Sequence, residues 1–380
     1  MQLANIPLPK NWTVLQPELL QQWDTIITGL RKNDRIAVIH DADPDGVCAA
    51  VVINKILEKI RGRGIDLRLN RKGGRHHIAP EMLTQLKKKK ISHIITTDLP
   101  VEENLQTLLG AAKMANVIIL DHHKLCNNVN SKKVLLLKPQ LLWKEPNPAY
   151  YATAKLIFDL GSRLCDLSEI EWIAGAGLIG DSGFMQWGEY LHNLLRRLKI
   201  TPKKNWFDTS IGKVPATISL ALCYNKKFVA RCYETLKKAK DWNSFCNSPL
   251  KKYSSAVEQE IRKHVQKFSR VKPVEEIYLY ELQPKYHITG TLSTILGHKH
   301  PNKTVIIADI SDKTVFVSAR RNDSKVAVND LLSQSVKGIA GAQGGGHIPA
   351  AGASVPKERY AQFKQNLFKI SHSIIKQRVV

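Results

Sequence analysis

The stretch Ile36-Ala37-Val38-Ile39-His40-Asp41-Ala42-Asp43-Pro44-Asp45-Gly46 joins an apolar, β-branched run to three carboxylates at alternate positions. The helix-forming Val47-Cys48-Ala49-Ala50-Val51-Val52-Ile53 follows directly. A buried strand that stops in acids and turns into a helix presents those acids at the carboxyl edge of a sheet. Open α/β sheets hold their ligands at that edge. Three acids packed so tightly repel one another unless a cation sits among them. Taken alone, the stretch also reads as a solvated Asp-rich turn with an aspartate capping the helix.

Outward from this stretch the chain alternates strand and helix. A helix is expected over 17–30, strands over 35–39, 65–69, 91–97, 117–120 and 133–138, and helices over 46–61, 80–89 and 101–115. Such a βαβα pattern implies a mainly parallel sheet flanked by helices. From Pro148 the sequence turns helical, and the small-residue segment Trp172–Ile179 stops at Asp181. A second α/β pattern begins at Glu276, with strands over 276–280, 304–309 and 314–318, a glycine-rich loop over 341–347 and a closing helix over 357–375. The expected organisation is α/β throughout: an N-terminal domain with a mainly parallel sheet over 1–190, a basic helical connector over 191–272 and a smaller C-terminal α/β domain over 273–380.

Composition narrows the function classes. The chain carries 57 Lys and Arg against 33 Asp and Glu, a net charge of +24. Between Leu191 and Lys272 there are 19 Lys and Arg against 5 Asp and Glu, so a net of +14 lies in that connector. Aromatics including Trp206, Phe207, Tyr224, Phe228 and Tyr233 are interleaved with these cations. A polyanionic partner such as nucleic acid is the simplest account of a basic excess gathered in this way. No apolar run approaches the roughly 20 residues of a membrane span, and the N-terminus lacks the form of a secretory signal. The six cysteines form no C-x-x-C pair, which suits a reducing cytoplasm and argues against a zinc ribbon. The basic stretch Arg71–His77 reads as a solvated loop that could also touch phosphate.

The acidic turn has partners farther along. Asp98, Asp121-His122-His123 and Asp181 each stand at the end of an apolar segment. If those segments are neighbours, their side chains converge on one edge. Four or five carboxylates with one or two imidazoles suit a pair of hard-to-borderline divalent cations, Mn²⁺ first and Mg²⁺ second. Two such ions can generate a nucleophilic water and clamp a phosphoryl oxygen. Each residue also has a purely structural reading: Asp98 as a cap before Pro100, Asp121 as support for a neighbouring histidine, Asp181 as a turn residue.

The ordered set His40-Asp41-Ala42-Asp43-Pro44-Asp45-Gly46, Thr97-Asp98, Asp121-His122-His123 and Gly180-Asp181 resembles the motifs of the DHH phosphoesterase family. Gly344-Gly345-Gly346-His347 and Ser318-Ala319-Arg320-Arg321 resemble two elements of the DHH-associated C-terminal domain. The resemblance implies a metal-dependent phosphodiesterase, similar to RecJ single-strand exonucleases and oligoribonucleases. It implies Asp41, Asp43, Asp98, His122 and Asp181 as ligands of two divalent cations, with His40 and Asp45 as additional candidates. Asp98, His122 and His123 are the implied catalytic residues. His123 would also face the substrate phosphate, and Arg320, Gly345, Gly346 and His347 would bind substrate. The expected partner is single-stranded nucleic acid or short oligonucleotides, with replication or repair proteins as further partners and no membrane. Two alternatives stand beside this: a cyclic-dinucleotide or small-phosphate phosphodiesterase, and a non-catalytic nucleic-acid scaffold of replication or repair.

Overall fold

The computed structural model describes residues 13–71, 77–145 and 147–379, except for the side chains of 374–379. Most of the basic loop read at Arg71–His77 lies outside the described residues. The chain divides into two compact units, one formed by Met1–Ser219 with Lys227–Lys251 and the other by Leu220–Lys226 with Lys252–Val380. The basic segment 191–272 therefore contributes to both.

In the first unit, β1 (Ile36–His40), β2 (Leu67–Asn70), β3 (His93–Thr97), β4 (Asn116–Leu120) and β5 (Val134–Leu137) form one sheet in the order β2-β1-β3-β4-β5. Every pairing is parallel. All five residues of β1 are buried, as a strand covered on both faces requires. The connection from β1 runs to β2 on one side, and the chain then returns to place β3 on the other. The switch point of the sheet therefore lies at the carboxyl ends of β1 and β3, where such sheets open a crevice for ligands. Register aligns His40 with Thr97, Thr97 with Leu120, and Leu120 with Leu137. The next residue of each strand, Asp41, Asp98, Asp121 and Lys138, thus leaves the sheet in a single row.

Helix Pro44–Arg61 starts in the acidic turn. Asp43 caps it by accepting from the Gly46 N–H at 2.8 Å, Pro44 occupies its first position, and Gly62 ends it in the left-handed conformation. Its residues from Asp45 to Asn54 are all buried. Helices Thr153–Ser162, Glu171–Gly180 and Val229–Lys238 pack around it. The small-residue segment at Trp172–Ile179 is one of these helices, and its glycines allow the close approach. A Cβ on Gly177 would lie 2.6 Å from the Ala154 Cβ and 2.6 Å from Asp45 Oδ1.

Two local readings change. The helix expected over 101–115 is split into a 3₁₀ turn, Val101–Glu103, and an α-helix, Leu105–Ala112. Asn104 resets the chain between them by capping the Thr107 N–H at 3.1 Å. The glycine-rich segment expected as a loop contains strand β9 (Gln343–His347), paired antiparallel to β10 (Ala350–Pro356). Glycines carry no alternating side-chain pattern, so this strand is legible only through its partner.

The second unit is a mixed sheet, with β6 (Ile277–Leu282), β7 (Thr304–Asp309) and β8 (Thr314–Arg320) completing the order β6-β7-β8-β10-β9. β6 and β7 are parallel and the remaining pairs antiparallel. Helix Thr289–Lys299 packs on β7 and β8. No helix among the described residues is long and apolar enough to cross a membrane.

Gly177→Val is expected to lower stability by about 1–3 kcal/mol through overpacking against Ala154 and Asp45. Urea unfolding followed by circular dichroism would measure it, with an unchanged midpoint contradicting the close approach.

Candidate metal centre

Asp98 follows β3 with a φ of +61°, and Ser182 follows Asp181 with a φ of +59°. Both are left-handed positions held by the surrounding structure, so the chain turns sharply at two of the candidate acids. Asp98 is fixed by its own N–H, which donates to the Leu120 carbonyl at 2.9 Å, and by Thr153, whose hydroxyl donates to Asp98 Oδ1 at 3.1 Å. Asp45 points to the start of helix Thr153–Ser162 and accepts from the Thr153 and Ala154 N–H groups at 2.7 and 3.1 Å. That places a carboxylate at the positive end of a helix.

Three overlapping sets of donor atoms result, each within 4.8 Å: Asp41–Asp43–Asp98, Asp98–His122–His123 and Asp45–His122–Asp181. Asp98 belongs to two sets and His122 to two, so the sets form a continuous chain. The His122 Nδ1–H donates to the Pro148 carbonyl at 3.2 Å. Its Nε2 then presents a lone pair towards Asp98 Oδ1 at 3.5 Å and Asp181 Oδ2 at 3.3 Å. Burial holds His122 below its ordinary pKa, and the neighbouring His123 adds to the effect. A neutral imidazole lone pair facing two carboxylates is repulsive unless a cation lies between them.

The acids carry the same strain. Burial, followed by the charge of Asp43, raises Asp41 to about 6 against the opposing Arg71. Burial and the Asp181 charge raise Asp45 to about 7. Burial and Asp43 raise Asp181 to about 8. Asp98 is pushed well above the carboxylate range by burial and the charges of Asp43 and Asp45. The donor set, mainly oxygen with imidazole and no thiolate, fits Mn²⁺ or Mg²⁺.

His123 is held differently. Its Nδ1–H donates to Asp121 Oδ1 at 2.7 Å, and Asp121 Oδ2 lies 2.8 Å from Lys138 Nζ. Lys138 also pairs with Glu102 and donates to the His123 and Lys124 carbonyls at 3.2 and 3.1 Å. The side chains of Lys138, Glu102 and Asp121 are fully buried. Burial opposes a charged His123, but the bond to Asp121 outweighs it and raises the imidazole to about 9. Burial would likewise raise Asp121, yet His123 and Lys138 together hold its carboxyl well below the usual range. Lys138, Glu102 and Thr153 were not singled out from the sequence. Lys138 does carry a signal once the strands are aligned, because it occupies the same position after β5 that Asp121 occupies after β4.

His40 stands apart from the three sets. Its Nδ1–H donates to the Asp41 carbonyl at 2.5 Å, its Nε2 lies 2.7 Å from an Arg68 nitrogen, and its ring stacks on Tyr233. Burial, with the Arg68 charge, lowers its pKa to about 3, so its ring is held neutral beside Asp41. In the second unit, Arg320, Ala350 and His347 share one row across β8, β10 and β9. Arg320 donates from Nε to Thr294 Oγ1 at 3.2 Å and from a terminal nitrogen to the Ala319 carbonyl at 3.1 Å. Gly345 lies in the next row of that face, opposite Gly352 and Ser318. Gly346 has a φ of +142°, and a Cβ there would lie 2.6 Å from the Ala350 carbonyl, so its role is to let the strands meet. A cleft of about 1000 Å³ lined by Ser318, Gly345, Gly352, Phe316 and Tyr286 opens in this unit.

The model of the DHH family, N-terminal domain, matches residues 35–180, and that of the DHHA1 domain matches residues 277–375. No curated protein matches the chain. Among solved structures, the chain is similar to a DHH-domain protein described as a member of a family of ribosomal proteins, with a TM-score of 0.70 and 14% identity over 94% of this chain and 91% of that one. It is also similar to an exonuclease RecJ bound to manganese, with a TM-score of 0.68 and 14% identity over 92% and 93% of the two chains. RecJ of Thermus thermophilus in complex with Mn²⁺ gives a TM-score of 0.67 and 15% identity, covering 97% of this chain and 56% of that one. At these identities the likeness is one of fold.

Lys138→Met is expected to destabilise the protein by about 3–5 kcal/mol, because it strands Glu102 as a buried carboxylate without its cation and leaves Asp121 with His123 alone. Adding Glu102→Gln should recover part of the loss in urea unfolding. A pH dependence follows from the acids. Asp45 and Asp181 have folded-state pKa values of about 7 and about 8, raised above the ordinary carboxylate value. The stability they confer when protonated is lost as pH rises through those values, and His123, raised to about 9, acts in the same sense. Chelator-treated protein should therefore melt at a lower temperature at about pH 8.5 than at about pH 6.5. Added Mn²⁺ should raise the melting temperature more at the higher pH, and an equal or smaller rise there would contradict the charge account.

Proposed function

We propose, from the premise that this chain belongs to the DHH family and carries a DHHA1 domain, that it is a metal-dependent phosphodiesterase. Its substrates in this reading are single-stranded DNA or RNA, or short oligonucleotides, hydrolysed from one end to nucleoside monophosphates. The observation that carries the reading is the chain of three donor sets sharing Asp98 and His122 at the switch point of the sheet. Asp41, Asp43, Asp98, His122 and Asp181 would hold two divalent cations, Mn²⁺ before Mg²⁺, with Asp45 at the margin. Such ions supply Lewis-acid polarisation of a phosphoryl oxygen and a nucleophilic water at neutral pH.

The remaining roles fall to the chain's own groups. With Nδ1 committed to Asp121, His123 offers Nε2 to a phosphate oxygen or to the departing oxygen, where a protonated imidazole can donate. Asp121, Lys138 and Glu102 fix that orientation. In the second unit, Arg320, His347 and the glycine strand form the substrate-binding face, where a guanidinium fork and open backbone suit phosphate. The net charge of +24 favours a long polyanion over a small cyclic dinucleotide. Replication and repair proteins are the corresponding partner class. All six cysteines are free, which favours a reducing, cytoplasmic compartment.

The test is incubation with Mn²⁺ and end-labelled single-stranded DNA, RNA, dinucleotides and cyclic dinucleotides. Release of mononucleotides is expected, falling to background in Asp98→Ala and His122→Ala. Hydrolysis confined to cyclic dinucleotides would sink the reading. Strand binding without hydrolysis of any phosphoester would establish a scaffold in its place.

A further inference from the structure

The segment Lys227–Lys251 belongs to the first unit although the residues on both sides of it belong to the second. Its helix Val229–Lys238 buries Val229, Cys232, Tyr233 and Leu236 and packs on helix Pro44–Arg61, the helix that begins in the acidic turn. Tyr233 stacks on His40, the residue before Asp41, and lies under the Arg68 guanidinium at 4.9 Å. The opposite face of the helix is basic. Arg231 and Lys238 stand on it with Glu234, and Lys240 and Asp241 follow the helix directly.

Both acids are engaged locally. Glu234 pairs with Lys237 at 3.5 Å, and Asp241 caps helix Trp242–Cys246 by accepting from the Ser244 N–H at 2.7 Å. Between these helices lies a concave groove of about 440 Å³ lined by Arg231, Thr235, Lys238, Lys240 and Ser244, together with Glu234. Arg231, Lys238 and Lys240 are exposed. Arg231 also lies against the Phe228 ring at 4.6 Å, which holds its guanidinium over the surface. Three cations, Arg231, Lys238 and Lys240, line one concavity against a single lining acid, Glu234, a balance that suits successive phosphates and not a cationic partner.

We propose that this groove tracks the sugar–phosphate backbone of an unpaired nucleic-acid strand whose end is being hydrolysed at the metal centre of the same unit. The inference rests on the nucleic-acid reading above and gives it a surface. The strand is gripped by backbone charge, so the contact is indifferent to base identity. Tyr233 packs the helix that carries the groove against His40, within the same unit as the centre.

The test uses the full chain and fluorescently labelled oligo-dT and oligo-U of about 20 nucleotides, long enough to exceed a single contact site. Anisotropy titrations at several salt concentrations compare wild type with the triple variant Arg231→Gln, Lys238→Gln, Lys240→Gln. A control triple, Lys87→Gln, Lys88→Gln, Lys89→Gln, removes the same charge from another exposed surface. Loss of three phosphate contacts should flatten the slope of log affinity against log salt by about 2, which is about 100-fold weaker binding at 0.1 M salt relative to convergence at 1 M. The control should change the slope less. Circular dichroism and melting temperature matching wild type exclude a folding defect. An unchanged slope, or an equal change in the control, overturns the groove while strand hydrolysis by wild type leaves the enzymatic reading standing. If wild type neither binds nor hydrolyses any strand, the nucleic-acid reading falls and the groove falls with it.

Discussion

Mutual repulsion among carboxylates is the constraint on which the rest of the first unit depends. The register of β1, β3 and β4 brings Asp41, Asp98 and Asp121 out of the sheet side by side, and the ends of two helices add Asp43, Asp45 and Asp181. Within a few ångströms in a buried setting, the electrostatic cost of ionising all of them is several times larger than in water. The structure answers in two ways. Asp121 is neutralised internally by Lys138 and His123, whereas Asp41, Asp45, Asp98 and Asp181 are left with raised pKa values. The first is an internal ion pair, and the second is a charge cluster that an external cation would relieve. That division separates the acid that positions from the acids that can bind.

The packing around helix Pro44–Arg61 follows from the same constraint. To hold Asp45 beside His122 and Asp181, its carboxylate needs donors that do not neutralise it, and the first N–H groups of helix Thr153–Ser162 provide them. That arrangement works only if helix Glu171–Gly180 approaches closely, which explains glycine at 177 in a helix interior despite its cost of about 1 kcal/mol relative to alanine. A sequence feature that weakens a helix locally is thus retained for the geometry it permits.

The acidic turn, Asp98 and His122 were legible because each follows an apolar strand, and strand ends in a parallel sheet share an edge. Asp181 was legible as the acid that ends the apolar helix Glu171–Gly180. The parallel sheet itself was legible from the alternation of β-branched runs with helical ones. Lys138 and Glu102 were not, because burial of an ion pair leaves no periodic mark in sequence. A lysine after a strand reads as a surface residue until register places it beside Asp121. Strand β9 was hidden for a different reason: Gly344, Gly345 and Gly346 erase the period of two on which strand reading relies. Asn104 shows a third limit, since a single side-chain cap divided a continuous helical pattern into two elements.

The two charge distributions of this protein also bear on each other. In the proposed reading, a centre in which Asp41, Asp43, Asp45, Asp98 and Asp181 gather would also repel a phosphodiester, so bound cations would serve both to relieve the protein and to admit the substrate. Cations at the centre act over only a few ångströms, because screening at physiological salt limits attraction to about 8 Å. Capture of a long polyanion therefore requires fixed positive charge farther out on the surface. The chain's net charge of +24 is of the sign this requires. Its basic residues include those on helix Val229–Lys238, whose buried face carries Tyr233 to His40. In the proposed reading, substrate attraction and metal binding are thus separate charge problems, met by different residues on elements packed directly together.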